Sequence, residues 1–447
     1  MRNSRTRIAA LSPSLTAVAG VLASRMLRLV LGAVTGILIA RTLQPEGRGV
    51  YSVIATTAGT AIVVAHLSLE KSQITFWPNS SRHRPLITNA LVLGMAFGFV
   101  ATVGVLVLVA VKGSPGAFPL WAAALLAIPF GTASINFTSI LLLQSRRKVV
   151  NQATVVASMA QCLPILALAA SGHVTITSVV LCWTASIVVP FFFSVRALWP
   201  ITLRCEKSFV RHELGLSIRY HVGLVASNLL LSMDVFLLSA LDSTATVGIY
   251  TVAVTVMGLA RMPAEALTQV VLPRQAVQGA REAQLVTART LRLNLLVSAA
   301  IIGLIAAASP WLIPLVYGHA FAASVAPLLL LAPGTVTLTL VRPVEQYLVR
   351  LERPVTMAAI SCGALAVNLL LNLMAIPRWG AVGAALVSSV SYTLLAFLET
   401  AWFLRSARMP VSALVPRLAD LRRTQPPAST SAGKQPPASR PAATPSR

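Results

Sequence analysis

Acidic residues are scarce in this chain. Aspartate and glutamate number 12 in 447 residues, and all charged residues together make up 11%, against roughly 25% in an average soluble domain. That scarcity excludes a chain whose main solvent is water. Cysteine is sparse too: Cys162, Cys182, Cys205 and Cys362 form no CxxC pair and stand beside no histidine, so neither a disulfide framework nor a zinc site is indicated. There is no G-x-x-x-x-G-K-[ST], no H-E-x-x-H and no G-x-S-x-G, so P-loop ATP hydrolysis, zincin chemistry and nucleophile-elbow hydrolysis are excluded. Aromatic residues, at 6%, sit in apolar segments rather than among basic ones, so the formal charge of +24 is not the footprint of a nucleic-acid-binding module. No cofactor is implied.

Apolar residues, by contrast, make up 56% of the sequence. Runs of about 20, enough to cross roughly 30 Å of hydrocarbon at 1.5 Å per residue, recur at Leu15–Ala40, Gly49–Leu69, Leu86–Val111, Leu120–Leu143, Val149–Ala170 and Val174–Leu198. A second set follows at Leu214–Ala240, Val247–Leu272, Leu291–Val316, Ala322–Val349, Val355–Ile376 and Ala381–Leu404. The first run, behind Arg2, Arg5 and Arg7, is longer than the about 7 to 15 residues of a cleaved signal's apolar core, and is expected to stay as a span. The expected fold is an all-α polytopic membrane protein of about twelve transmembrane helices. Its parts are an N-terminal segment 1–14, a six-helix lobe 15–198, a basic linker 199–213, a second six-helix lobe 214–404 and a basic tail 405–447. From Thr424 onward that tail holds prolines among Ser, Ala and Thr and is expected to be disordered.

The placement of charge orients the bundle. Of the 36 basic residues, 27 lie at the termini and in the even-numbered gaps, and four, Arg41, Arg48, Lys112 and Arg378, in the odd-numbered ones. The positive-inside rule then places both termini in the cytoplasm. Arg274, Arg281, Arg289 and Arg292 recur on one helical face, which fits either ordinary positive-inside charge or a surface helix on anionic lipid. The odd-numbered gaps are short and hold only Glu46 and Asp242 as acids, too little room and too few carboxylates for a membrane glycosyltransferase.

An internal repeat runs through the sequence. Gly49-Val50-Tyr51 opens the second span and Gly248-Ile249-Tyr250 the eighth. A second echo relates Leu143–Val149 to Leu348–Pro354, each after a span containing a proline, Pro129 or Pro333. Six spans per half make this a parallel repeat, an arrangement that puts a substrate site between lobes, in a central cavity.

Five arginines fall inside spans: Arg25, Arg28, Arg219, Arg261 and Arg342. Each costs roughly 2.5 to 3.5 kcal/mol near the bilayer centre unless it faces water or a partner. Asp234, Glu265 and Glu345 are the acids set against them. Arg261 with Glu265 and Arg342 with Glu345 are spaced to neutralise themselves, and Arg219 is near enough to the basic side to snorkel. Arg25 and Arg28, one turn apart with no acid a turn away, are candidates for a phosphate-bearing ligand, because the guanidinium fork matches phosphate oxygens. Gly32 and Gly36 beside them allow close helix approach. His66 and His221 fit either proton coupling or plain packing hydrogen bonds.

Three stretches resemble one family. Ala40-Arg41-Thr42-Leu43-Gln44-Pro45-Glu46-Gly47-Arg48-Gly49-Val50-Tyr51 is similar to its "AR-x-L-x-P-x-x-x-G-x-Y"; Asp234-Val235-Phe236, then Val247-Gly248-Ile249-Tyr250 and Pro273, to its "D-x-F … VG-x-Y … P"; Asn368, Asn372, Ile376-Pro377 and Trp379-Gly380-Ala381-Val382-Gly383-Ala384-Ala385 to its "N-x-x-x-N … IP-x-x-G-x-x-GAA". The family is the polysaccharide-export, O-antigen type flippases of the multidrug/oligosaccharidyl-lipid/polysaccharide (MOP) superfamily. The resemblance implies a two-lobed transporter, not an enzyme, in a bacterial inner membrane. It would turn an undecaprenyl-pyrophosphate-linked oligosaccharide from the cytoplasmic to the periplasmic leaflet by alternating access. Its partners would be that lipid-linked sugar, membrane lipids and a coupling proton or sodium ion. By the same resemblance Arg25, Arg28 and Arg261 match arginines around a cationic cavity in relatives that flip the peptidoglycan precursor; from their place in the spans, Arg219 and Arg342 are further candidates to line it, and Asp234, Glu265, Glu345 and His66 are candidates to pair charge or couple. Relatives that flip the peptidoglycan precursor usually have fourteen helices, so twelve points to the polysaccharide branch. The alternatives are a lipid II flippase, a cation-coupled multidrug exporter of the same superfamily, and a membrane scaffold acting through its tail.

Overall fold

The computed structural model describes residues 4–112, 118–201, 206–277 and 279–415; side chains at 4–23, 25, 112 and 270–277 are outside the description. Cys205, the tail 416–447 and the charges on both lie outside it as well. Every regular element among the described residues is helical. Among the described residues, ten helices are long and apolar enough to cross a membrane. Two of them are broken: Ser4–Ala65 at Gln44 (φ 57°, ψ 178°) and Pro354–Ala407 at Gly380 (φ 51°, ψ −129°), so the ten supply twelve legs. The first break has a local cause. The ring of Pro45 disfavours the helical region for the residue before it and starts the next helix well, so Gln44 leaves the helix and span 2 begins. At the second break glycine meets the positive φ without a Cβ penalty.

Spans 3 to 6 are His83–Lys112, Phe118–Leu125 continued by Ala127–Leu143, Arg147–Ala170 and Ile176–Leu198. Spans 7 to 9 are Lys207–Leu241, Thr244–Val277 and Ala280–Tyr317, and span 10 is Val325–Leu338 followed by Val341–Arg350. Within the first half, span 3 lies along span 4 and span 5 along span 6; in the second, span 7 lies along the broken helix of spans 11 and 12. The main contact between halves is the first broken helix against span 8.

Three differences from the sequence reading have physical causes. The gap after span 2 contains a helix, Leu69–Phe76, reached through Leu67 and Ser68, both at φ 53°. The basic linker also yields its last residues to span 7, which begins at Lys207 and runs 35 residues, about 52 Å at 1.5 Å each. That exceeds the hydrocarbon thickness of roughly 30 Å, so its first turns, with Lys207, Arg211 and Glu213, stand outside the membrane: polarity limits immersion, not helicity. Arg281, Arg289 and Arg292 likewise sit on the same kind of overhang, the start of the continuous span 9, rather than on a separate surface helix. Arg292 Nη1 donates to Ala413 O at 2.6 Å, tying that overhang to the turn Val411–Leu414.

Candidate functional site

On the face opposite the basic loops the repeat becomes geometry. A Cβ placed on Gly49 would lie 1.8 Å from Thr244 O, and one on Gly248 1.9 Å from Pro45 O. Pro45 and Gly49 in one half thus meet Thr244 and Gly248 in the other, reciprocally. One turn further in, Ser52 Oγ and Thr251 Oγ1 lie 3.1 Å apart, 199 residues apart in sequence. Spans 2 and 8 therefore cross about a local two-fold axis, backbone on backbone, and only glycine fits at the crossing.

Arginines that the sequence placed in outer gaps complete this closure. Arg41 donates from Nε to Val316 O at 2.8 Å and from Nη2 to Leu315 O at 2.5 Å, reaching from span 1 to the end of span 9. Arg48, 4% exposed, donates to Gly36 O at 2.9 Å and to Thr255 Oγ1 at 3.1 Å, with its guanidinium 5.9 Å from the centroid of the Tyr317 ring. Tyr51 accepts from Gln161 Nε2 at 3.3 Å. Arg41, Pro45, Gly49, Tyr51 and Gly248 are thus structural members of one seal.

The second site gathers residues far apart in the chain. Asp234, 1% exposed on span 7, accepts from Tyr250 OH at 2.5 Å and Ser388 Oγ at 2.6 Å on Oδ2, and from Asn372 Nδ2 at 3.1 Å on Oδ1. Asn372 also donates to Asn368 Oδ1 at 3.1 Å, and Asn368 to Ser391 Oγ at 3.3 Å. Spans 7, 8, 11 and 12 meet at this one carboxylate, and every hydrogen bond to it comes from a neutral donor. Two of the family stretches in the sequence, D-x-F … VG-x-Y and N-x-x-x-N, converge here.

Beside it lies a cavity of about 100 Å³ lined by Arg261, Met257, Leu331, Thr335 and Tyr392 among others. Arg261 is held by Glu265 at 3.0 Å, and Arg342, 62% exposed, by Glu345 at 3.3 Å. Both pairs that the spacing left open are therefore formed. Arg219 is exposed and Arg28 half-buried; the side chain of Arg25 lies outside the described residues. Of the five span arginines, Arg261 is the one that the described cavities contain. A fourth span acid joins the three read from the sequence: Glu399 in span 12, fully buried.

At the basic face, His66 Nε2 lies 3.4 Å from Glu70, its ring 5.9 Å from that of His221, and His221 Nδ1 3.2 Å from Ser68 Oγ. Glu213, Asn89 and Ser72 continue the cluster. Sequence reading passed over Glu213, Asn89 and Glu399; the signal was there, since an acid or amide inside an apolar helix needs a partner.

This bundle of helices in two halves, with crossed glycines at one face and a buried carboxylate inside, is similar in fold to solved transporters of the MOP superfamily. It is similar to a lipid II flippase MurJ in its inward closed conformation (TM-score 0.70, 13% identity, 88% of each chain covered). An inward-facing multidrug resistance MATE family transporter aligns with TM-score 0.65 and 15% identity over 89% of this chain and 96% of that one. A MOP superfamily transporter from Pyrococcus furiosus, described by the reverse polarity of its binding pocket, aligns with TM-score 0.63 and 15% identity over 87% and 94%. No curated protein matches the chain in sequence. The chain belongs to the polysaccharide biosynthesis protein family, which matches residues 15–278.

Proposed function

We propose that this protein is a flippase that carries an undecaprenyl-pyrophosphate-linked oligosaccharide from the cytoplasmic to the periplasmic leaflet of a bacterial inner membrane by alternating access. The observation that carries the reading is the reciprocal glycine seal between two repeated halves: a two-fold crossing of backbones closes one face without a covalent tie and parts by rotation of the lobes. Membership in the polysaccharide biosynthesis family supports the substrate class. The excess of span arginines over span acids favours an anionic head group over a cationic drug. In this reading the basic face is cytoplasmic and the glycine seal is the periplasmic gate. Arg25, Arg28 and Arg261 receive the pyrophosphate, Arg261 after leaving Glu265, while Arg219 and Arg342 lie toward the cytoplasmic mouth. The lipid tail stays in the bilayer. Asp234 takes the coupling proton or sodium ion.

Two measurements test the parts separately. Arg261→Ala, inserted at normal abundance, should lower export of the polysaccharide at least tenfold, the loss of one charge-assisted phosphate contact of about 1.5 kcal/mol or more; unchanged export removes Arg261 from the path. For orientation, an impermeant thiol reagent applied to intact cells should label Ala320→Cys on the sealed face and spare Ser80→Cys on the basic face in a cysteine-free background. The reverse pattern would turn the assignment of sides over.

A further inference from the structure

The halves also meet at the basic face, through the overhanging start of span 7. Glu213, in its second turn, is fully buried there. Its Oε1 accepts from Ser72 Oγ at 3.3 Å and its Oε2 from Asn89 Nδ2 at 2.7 Å. Ser72 belongs to the short helix Leu69–Phe76 and Asn89 to span 3, both in the first half, whereas span 7 packs along spans 11 and 12 of the second. A carboxyl group of one lobe is therefore seated on two neutral donors of the other.

Charged groups stand on the elements packed against it. From the first half come His66 and Glu70, paired with each other, Lys71 on the short helix, Arg82 before span 3 and His83 at its start. Span 7 itself carries Arg211, His212, Arg219 and His221. Arg82 pairs with Glu206 at 3.3 Å. Burial pushes Glu213 up to about 7, against its two hydrogen bonds from Asn89 and Ser72, which favour the charged form. Asn89 adds a place for a proton. Its Oδ1 has no partner, so turning the amide over lets it accept from a neutral Glu213.

We propose that Glu213 is a proton site that locks the lobes at the cytoplasmic junction, occupied while span 7 sits on Ser72 and Asn89 and emptied as the lobes part. This rests on the alternating-access reading above. The sign follows from linkage: the closed junction holds the proton up to about pH 7, while a Glu exposed by opening returns to about 4.3. Closure is therefore favoured by acid and weakens as pH rises through 7.

The test uses the full-length, cysteine-free protein in liposomes with spin labels at Ser80→Cys and Arg353→Cys, exposed positions on opposite halves. Between pH 6 and 8 the ratio of close to separated populations should fall about tenfold, the linkage expected for one proton. Glu213→Gln should make the ratio independent of pH, whereas His66→Gln and His221→Gln should keep the tenfold response. Ser72→Ala, which keeps the carboxyl but removes a donor to its charged form, should move the midpoint upward and serves if the Gln variant does not insert. A wild-type ratio flat in pH, a response that survives in Glu213→Gln, or an unmoved midpoint in Ser72→Ala overturns the proton site. A pH-responsive junction in a protein that exports nothing overturns the transport reading and leaves the site standing; normal export with a flat junction does the opposite.

Discussion

Gly248→Ala should cut export sharply while leaving the protein in the membrane. The added Cβ would overlap Pro45 O, a backbone atom 1.9 Å away, so no side chain can rotate to make room. The crossing has to widen, which separates Gly49 from Thr244 and Ser52 from Thr251 as well. Overpacking of a close contact costs about 1–3 kcal/mol where neighbours can yield. At about 3 kcal/mol the sealed state loses roughly two orders of magnitude in population. Export should fall at least tenfold, and Thr251→Cys in the same background should become labelled from outside. Gly32→Ala is the control, since a Cβ there meets nothing within 4 Å. Wild-type export and unchanged labelling in Gly248→Ala would show that this crossing is no gate.

Asp234→Asn is expected to fold and to lose the response to an ion gradient. An asparagine fits the same space. Its oxygen can accept from Asn372, and its amide can donate to Tyr250 and Ser388, whose hydroxyls turn to accept. What changes is the charge. A buried carboxylate served by neutral donors alone leaves several kcal/mol of uncompensated desolvation unless a proton or cation neutralises it, and the asparagine removes that need. In proteoliposomes, flipping of a lipid-linked oligosaccharide should speed up under an imposed proton or sodium gradient with Asp234 and be at least tenfold slower and gradient-blind with Asn. Asp234→Leu should instead fail to accumulate, because three donors lose their acceptor at about 1–3 kcal/mol each. A gradient response that persists in Asp234→Asn would move coupling elsewhere, Glu399 and Glu213 being the next buried carboxyl groups.

How the span residues are used was only partly readable. The i, i+4 pair Arg261–Glu265 and the i, i+3 pair Arg342–Glu345 could be named because a helix puts such neighbours on one face whatever surrounds it. Asp234 could be flagged as costly in a membrane, but not as the meeting point of Tyr250, Asn372 and Ser388, which stand 16, 138 and 154 residues away. Arg48 was counted as an outer-loop charge and is in fact buried against Gly36 O and Thr255. Glu213 falls just before an expected span, and no local pattern marks it, because its donors Ser72 and Asn89 come from the other lobe.

The sequence by itself determined an all-helical fold of apolar, membrane-length helices, the uneven share of positive charge among the gaps between them and the repeat of Gly-x-Tyr. All of these are local or additive: the hydrocarbon thickness fixes the length of each apolar run, and basic residues can be counted gap by gap. Only the tertiary structure decided which polar side chains meet. In a membrane both the lipid face and the packed face of a helix are apolar, so the pattern along a span does not say how it is rotated about its axis. That rotation places Gly49 against Thr244, Asp234 against Asn372 and Glu213 against Asn89.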